Sequence, residues 1–189
     1  MNQQEVEKKI YGDHPKIQAW TTIDKSEWPE RGDWDNEPDK VQWIDEKTGL
    51  DCLIVRAPSH GGLCGYVGVP ETSVLHGKEY GEIEEDFEVH GGLTFSDKCS
   101  PKEDPATGIC HTGEVANKCV WWLGFDCSHT DDISPSYYNF FKERGLQHDS
   151  VSMESHKLLN MGEWRTYKNL DYVIKEVESL SDQISRYTV

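Results

Sequence analysis

Apolar and polar positions alternate with a period of two through the middle of the chain, and with a period of three to four near its C-terminal end. The runs VQWI (Val41–Ile44), LDCLIVRA (Leu50–Ala57) and LCGYVGV (Leu63–Val69) are rich in β-branched and apolar residues. DEKTG and SHGG separate them and carry turn residues. This pattern predicts an antiparallel meander, because short connections join neighbouring strands. Leu53–Val55 is apolar without interruption, which predicts a central strand covered on both faces. HGGLTFS (His90–Ser96) reads as a further strand entered through two glycines, which puts His90, Thr94 and Ser96 on one face. CVWWLGFDC (Cys119–Cys127) reads as another, with Trp121, Leu123 and Phe125 on one face and Trp122, Gly124 and Asp126 on the other.

Leu170, Val173, Val177, Leu180, Ile184 and Tyr187 recur at helical spacing with charges between them. That predicts an amphipathic helix over 167–187, with Thr166 as its N-cap. The stripe is wide enough to lie on a sheet; a partner-binding coiled coil is the lesser reading, because the pattern spans only three heptads. The expected fold is α+β: a mainly antiparallel sheet packed against a C-terminal amphipathic helix, in a single domain over 1–189. The sheet core is expected over 41–127. Residues 1–37 read as an irregular N-terminal arm, with a short helix over 2–10 ended by Gly12 and Pro15. Trp20, Trp28 and Trp34, spaced by Pro and Gly, are expected to pack over the core. SYYNFFKERG, after Pro135, reads as a short helix.

Composition narrows the function classes. The chain has 189 residues, is 35% hydrophobic, contains seven tryptophans and carries a net charge of −16. That apolar content is too high for a disordered acidic tail. The charge disfavours nonspecific binding to nucleic acid or an anionic membrane, both of which need a positive face. The acids are scattered among lysines, apart from EIEEDFE, so the chain does not read as a mimic of DNA. No apolar run is long enough to cross a bilayer. MNQQEVEKKIYGDHPK has no apolar signal core, so no secretion is expected.

Six cysteines, at 52, 64, 99, 110, 119 and 127, include no C-x-x-C pair. Without an export signal the expectation is reduced thiols, with Cys52, Cys64 and Cys119 in the core.

VWWLGFDCSHTDD (Val120–Asp132) concentrates the candidate chemistry. An apolar strand ends in Asp126, His129 and Asp132, and His90 sits at the head of another predicted strand. Histidine with carboxylates binds divalent metals or forms acid/base pairs. Gly91, Gly92 and Gly124 would let a ligand approach the backbone. Thr94 adds a hydroxyl and Trp122 a stacking surface. The competing reading is an Asx-type turn with Asp126 capping backbone amides. The metal set on this reading is His90, Asp126 and His129, with Asp132 completing a hydrolase site. A second set, Cys99, Cys110, His111 and Cys119, would tie a long excursion with a structural zinc, although C-x10-C-H-x7-C lacks tight chelate pairs. Cys127 with His129 as base is a third reading. Arg56 and Arg165 are candidates for holding an anion, against the alternative of salt bridges. No phosphate loop and no dinucleotide fingerprint is present.

EPDKVQWIDEKTGLDCLIVRAP, LCGYVGVPE, HGGLTFSD, ICH, VWWLGFDCSHTDD and YKNLDYVIKEVESL together resemble an uncharacterised family of small proteins of tailed bacteriophages and prophages. The resemblance runs from Pro38 to Leu180. It implies an accessory protein acting in the bacterial host cytoplasm, and no established activity. It places His90, Gly91, Gly92, Asp126, His129 and Asp132 within shared motif segments. The leading functional expectation is a pocket for a small polar ligand. In a phage setting it would bind or sequester a host nucleotide-like signal and so counteract defence. The alternatives are a metal-dependent hydrolase using His90, Asp126, His129 and Asp132, with a divalent metal such as zinc, and an acidic protein-interaction module exposing the aromatic arm. A homodimer is one plausible assembly, the sequence leaving the oligomeric state open, and no nucleic acid or membrane partner is expected.

Overall fold

Period-two alternation places Cys52 and Ile54 on one side of a strand and Leu53 and Val55 on the other, and both sides are buried. That strand is β4 (Asp51–Arg56), central in an antiparallel sheet. The computed structural model describes residues 7–10, 17–99, 104, 106–111, 120–136 and 165–187. Within these, the other strands are β1 (Glu7–Ile10), β2 (Gln18–Thr21), β3 (Lys40–Ile44), β5 (Leu63–Pro70), β6 (Phe95–Lys98) and β7 (Val120–Asp126). Their spatial order is β1-β2-β3-β4-β5-β7-β6. β3, β4 and β5 form the expected meander, β1 and β2 extend it, and β7 inserts between β5 and β6. A short helix, α1 (Tyr80–Ile83), lies in the excursion after β5, and α2 (Leu170–Ser185) packs on the sheet against β4 and β5. The fold is therefore α+β, as the patterning indicates.

One face of the sheet, with Val41, Ile54, Val67, Leu123 and Phe125, meets Leu170, Val173, Val177, Leu180 and Ile184 of α2. Each such fully buried aliphatic side chain contributes about 1.5–3 kcal/mol. Close approach depends on Gly65. A Cβ there would lie 2.6 Å from both the Phe125 ring and Val177 Cγ2. The opposite face gathers Leu53, Val55, Cys64, Tyr66, Val120 and Trp122. Ile109 and Cys99 cover it, from a segment closed by a disulfide between Cys99 and Cys110. These two cysteines are thus paired, not reduced as expected. Cys52, Cys64 and Cys127 are free and buried.

Three boundary expectations change. The predicted arm contributes two strands: β1 pairs with β2, and β2 with β3 through Ala19↔Val41. Ile17 and Ala19 bury toward the core within a polar stretch, which is why periodicity missed the edge. Residues 7–10 are accordingly strand, and 2–6 lie outside the described residues. Trp20, Trp28 and Trp34 are all buried, so they form no exposed aromatic arm.

The predicted strand over His90–Ser96 is a turn until Phe95. Gly91 and Gly92 have φ of 66° and 85°, left-handed values that break an extended run. His90 therefore shares no strand face with Thr94.

The helix starts at Leu170, three residues later than the expected start at 167. Asn169, not Thr166, is the N-cap, its side chain accepting from Tyr172 N at 3.1 Å. Thr166 instead forms a parallel bridge with Asp132. The helix read in SYYNFFKERG falls, apart from Ser136, outside the described residues, as does Cys119. Among the described residues, no helix is long and apolar enough to cross a membrane.

Candidate functional site

Past the end of β7 the chain turns twice, and the two turns use their aspartates differently. In the first, Asp126 Oδ1 accepts from the amide of Ser128 at 3.1 Å and from its hydroxyl. Asp126 Oδ2 accepts from Thr94 Oγ1 at 2.9 Å. This is the Asx turn weighed above, with Thr94 tying the start of β6 to the end of β7. Burial opposes ionisation of Asp126, but the hydrogen bonds from Ser128 and Thr94 and the nearby His129 outweigh it, so the carboxyl sits below its usual range.

The second turn builds the cluster. Asp132 N donates to His129 O at 3.0 Å, and His129 N donates back to Asp132 Oδ2 at 2.9 Å. The Asp132 side chain is fully buried, and its Oδ2 lies 2.9 Å from His90 Nε2 and 3.4 Å from His129 Nδ1. The bridge to Thr166 fixes this turn beside the N-terminus of α2. Lys168 Nζ thereby reaches 3.5 Å from Asp132 Oδ1, and Tyr172 OH lies 3.1 Å from His90 Nδ1. Glu176, one turn along α2, accepts from His90 N at 2.8 Å and fixes the backbone of that turn. Burial, then the carboxylates led by Glu176, hold the Tyr172 hydroxyl above the usual phenol range.

One ligand atom each from His90, His129 and Asp132 falls within 4.8 Å of the others. Among the buried side-chain atoms, His129 Nδ1 and Asp132 Oδ1 have no hydrogen-bond partner. Their nearest charged neighbours are longer contacts, Asp132 Oδ2 at 3.4 Å from His129 Nδ1 and Lys168 Nζ at 3.5 Å from Asp132 Oδ1. The His129 ring lies over Gly91, where a Cβ would come within 2.0 Å of it. Gly92, beside it, faces open space. A polar groove of about 570 Å³ runs along α2 from Glu176 to Arg186, past Glu88 and Val89.

Gly91→Ala should push the His129 ring off the cluster while the fold survives. A left-handed φ at a surface turn costs an alanine about 1 kcal/mol. Imidazole NMR resonances of His129 should move strongly, with the melting temperature lowered by only a few degrees. Unmoved resonances would show that the ring is not held by this contact.

The cluster joins three of the sequence candidates, His90, His129 and Asp132. It separates Asp126 from them, so the group that could hold a metal is His90, His129 and Asp132 in place of His90, Asp126 and His129. Thr94 serves Asp126.

Arg56 is not available to a ligand. It is fully buried, and all its donors are engaged: Nε to Asp39 at 2.9 Å, Nη1 to Gly61 O and Tyr167 OH at 2.8 and 2.7 Å, and Nη2 to Glu37 and Pro38 O at 2.9 and 3.4 Å. Trp122 is buried on the face away from α2, its ring 5.3 Å from His111. The space beside Gly124 is filled by the Tyr66 ring, 2.3 Å from where a Cβ would stand.

Cys127 belongs to the core under α2, and burial pushes its thiol well above the reactive range. It is no nucleophile for His129. The second zinc set also dissolves. Cys99 and Cys110 are bonded to each other. His111 donates from Nε2 to Cys52 O at 2.8 Å and sits 3.4 Å from Asp51 through Nδ1.

Tyr172, Lys168 and Glu176 were missed. The apolar stripe does not include them, yet Tyr172 and Glu176 are four apart on the face beside it. That spacing was the available signal. Compared with known proteins, the chain matches no family model, no curated protein and no solved structure.

Proposed function

We propose that the protein binds a divalent transition-metal ion through His90, His129 and Asp132 and uses it to activate water against an ester or phosphoester. The supporting observation is the convergence of one ligand atom each from His90, His129 and Asp132 at a buried carboxylate. Two imidazoles and one carboxylate suit zinc, and also ferrous iron. Three protein ligands leave a position open for water, whose pKa a bound zinc ion lowers toward neutrality. The open space at Gly92 supports access. The resemblance to tailed-phage proteins supports an infected bacterial cell as the setting.

The non-catalytic pocket is the second reading. It retains His90, His129 and Gly92 as lining, but it loses Arg56 and Trp122, which are turned inward and buried. With them go the cation and the stacking ring that a nucleotide-like ligand would use.

Native mass spectrometry of protein purified without chelator, with zinc and ferrous-iron titrations, tests the metal. One ion per chain is expected, lost in His90→Ala with the melting temperature largely kept. An ion retained at full occupancy in that variant would overturn the assignment. Release of nitrophenol from nitrophenyl esters and phosphodiesters by the loaded protein, absent in His90→Ala, tests the chemistry.

A further inference from the structure

A histidine that binds a metal through one nitrogen needs its other nitrogen protonated and held, because the second hydrogen bond fixes both tautomer and ring orientation. In the cluster, His90 turns Nε2 toward Asp132 and Nδ1 toward Tyr172 OH. The two rings meet edge-on, 5.6 Å apart at an interplanar angle of 90°. The backbone of His90 is held by Glu176, on the same helix as Tyr172. One element therefore controls both the position and the rotation of this imidazole.

We propose that Tyr172 is the positioning residue of the metal site, its hydroxyl holding the His90 ring with Nε2 toward Asp132 and accepting from Nδ1–H once a zinc-class ion takes Nε2. This rests on the metal-binding reading above. A hydroxyl suits the role because it both donates and accepts. Without metal, Tyr172 donates to Nδ1 while Nε2–H donates to Asp132. With metal, Nε2 gives up its proton to solvent and its lone pair to the ion. Nδ1 takes a proton from solvent and donates it to Tyr172 oxygen. The proton count on the ring is unchanged, so the exchange needs no acid or base beyond water. Asp132 Oδ2 loses the His90 bond at the same step, keeps the one from His129 N, and has a lone pair available to the ion. Lys168 Nζ, 5.6 Å from the centre of the Tyr172 ring, packs against the tyrosine from the side of Asp132.

The test is Tyr172→Phe, which keeps the ring and removes the hydroxyl, with Tyr187→Phe as a control at the far end of α2. Zinc affinity is measured against a chromophoric chelator. Ligand geometry is read from the visible spectrum of the cobalt(II)-loaded protein. Tyr172→Phe should weaken zinc binding about 10–100-fold and shift the cobalt bands, as loss of an outer partner does elsewhere. The metal-free melting temperature should stay within a few degrees of wild type, and Tyr187→Phe should bind as wild type does. Equal zinc affinity in Tyr172→Phe and wild type would overturn the role of Tyr172 alone. An equal loss in Tyr187→Phe would overturn it too, since the effect would then be general to the helix. Failure of the wild-type protein to take up either ion would overturn the metal site and this role together.

Discussion

Arg56→Met should destabilise the protein by about 3–5 kcal/mol, the usual cost of removing one partner from a buried ion pair. Methionine fills much of the same volume, so the loss is electrostatic in origin. Asp39, 2% exposed, keeps Lys25 at 2.7 Å and the amides of Thr22 and Ile23. Glu37 does worse. It holds Leu170 N at 2.7 Å and the Tyr167 hydroxyl, and it would lose its ion pair, leaving Lys25, bound to its backbone carbonyl at 2.7 Å, as the cation nearby. The damage should therefore spread to the N-terminus of α2. Urea unfolding measures the loss. At about 2–4 °C per kcal/mol for a chain of this size, thermal melts should fall by roughly 6–20 °C. A drop of less than about 1 kcal/mol would mean that Arg56 offsets little more than its own desolvation.

The second large effect separates two aspartates six residues apart. Asp132→Asn should reduce zinc affinity by about 100-fold or more, beyond the loss expected for an outer partner, because it removes a charged ligand. The asparagine oxygen can still accept from His129 N, so the turn should persist. Asp126→Asn should leave zinc affinity near wild type, since Asp126 is spent on Ser128 and Thr94. Isothermal titration of both variants decides between them. The reverse ranking would restore Asp126 as the ligand and remove the basis for the cluster described here.

Strands β3, β4, β5 and β7 were legible because each carries a side-chain period or an unbroken apolar run, and burial on one or both sheet faces produces that pattern. The C-terminal helix was legible for the same reason at a period near 3.6. β1 and β2 were not, since an edge strand with few inward residues leaves little periodicity in a polar segment. Two of the three cluster histidine and carboxylate positions came out of the sequence as metal candidates, and Asp132 as a hydrolase partner. Which aspartate faces the histidines was not legible, because it depends on how two consecutive turns close. Tyr172 and Lys168 join the site through the bridge between Asp132 and Thr166, a contact that no local spacing encodes. Arg56 looked informative for the right reason, as a rare cation ending an apolar strand, but carboxylates from the N-terminal region claim it first.

The segment covering Trp122 is fastened at more than one point. The disulfide joins cysteines 11 residues apart, and a cross-link closing so short a loop removes about 3 kcal/mol of chain entropy from the unfolded ensemble. Lys40 is buried, and its ammonium donates to the carbonyls of Gly108 and Cys110 at 2.8 and 2.7 Å, inside that same loop. His111, immediately after it, is hydrogen-bonded to the central strand. Two of the three fastenings are thus indifferent to redox conditions. Reduction lowers the cost of opening the segment without erasing its docked position. Gly108, Cys110 and His111 are therefore tied to β3 and β4 by contacts that do not depend on the disulfide.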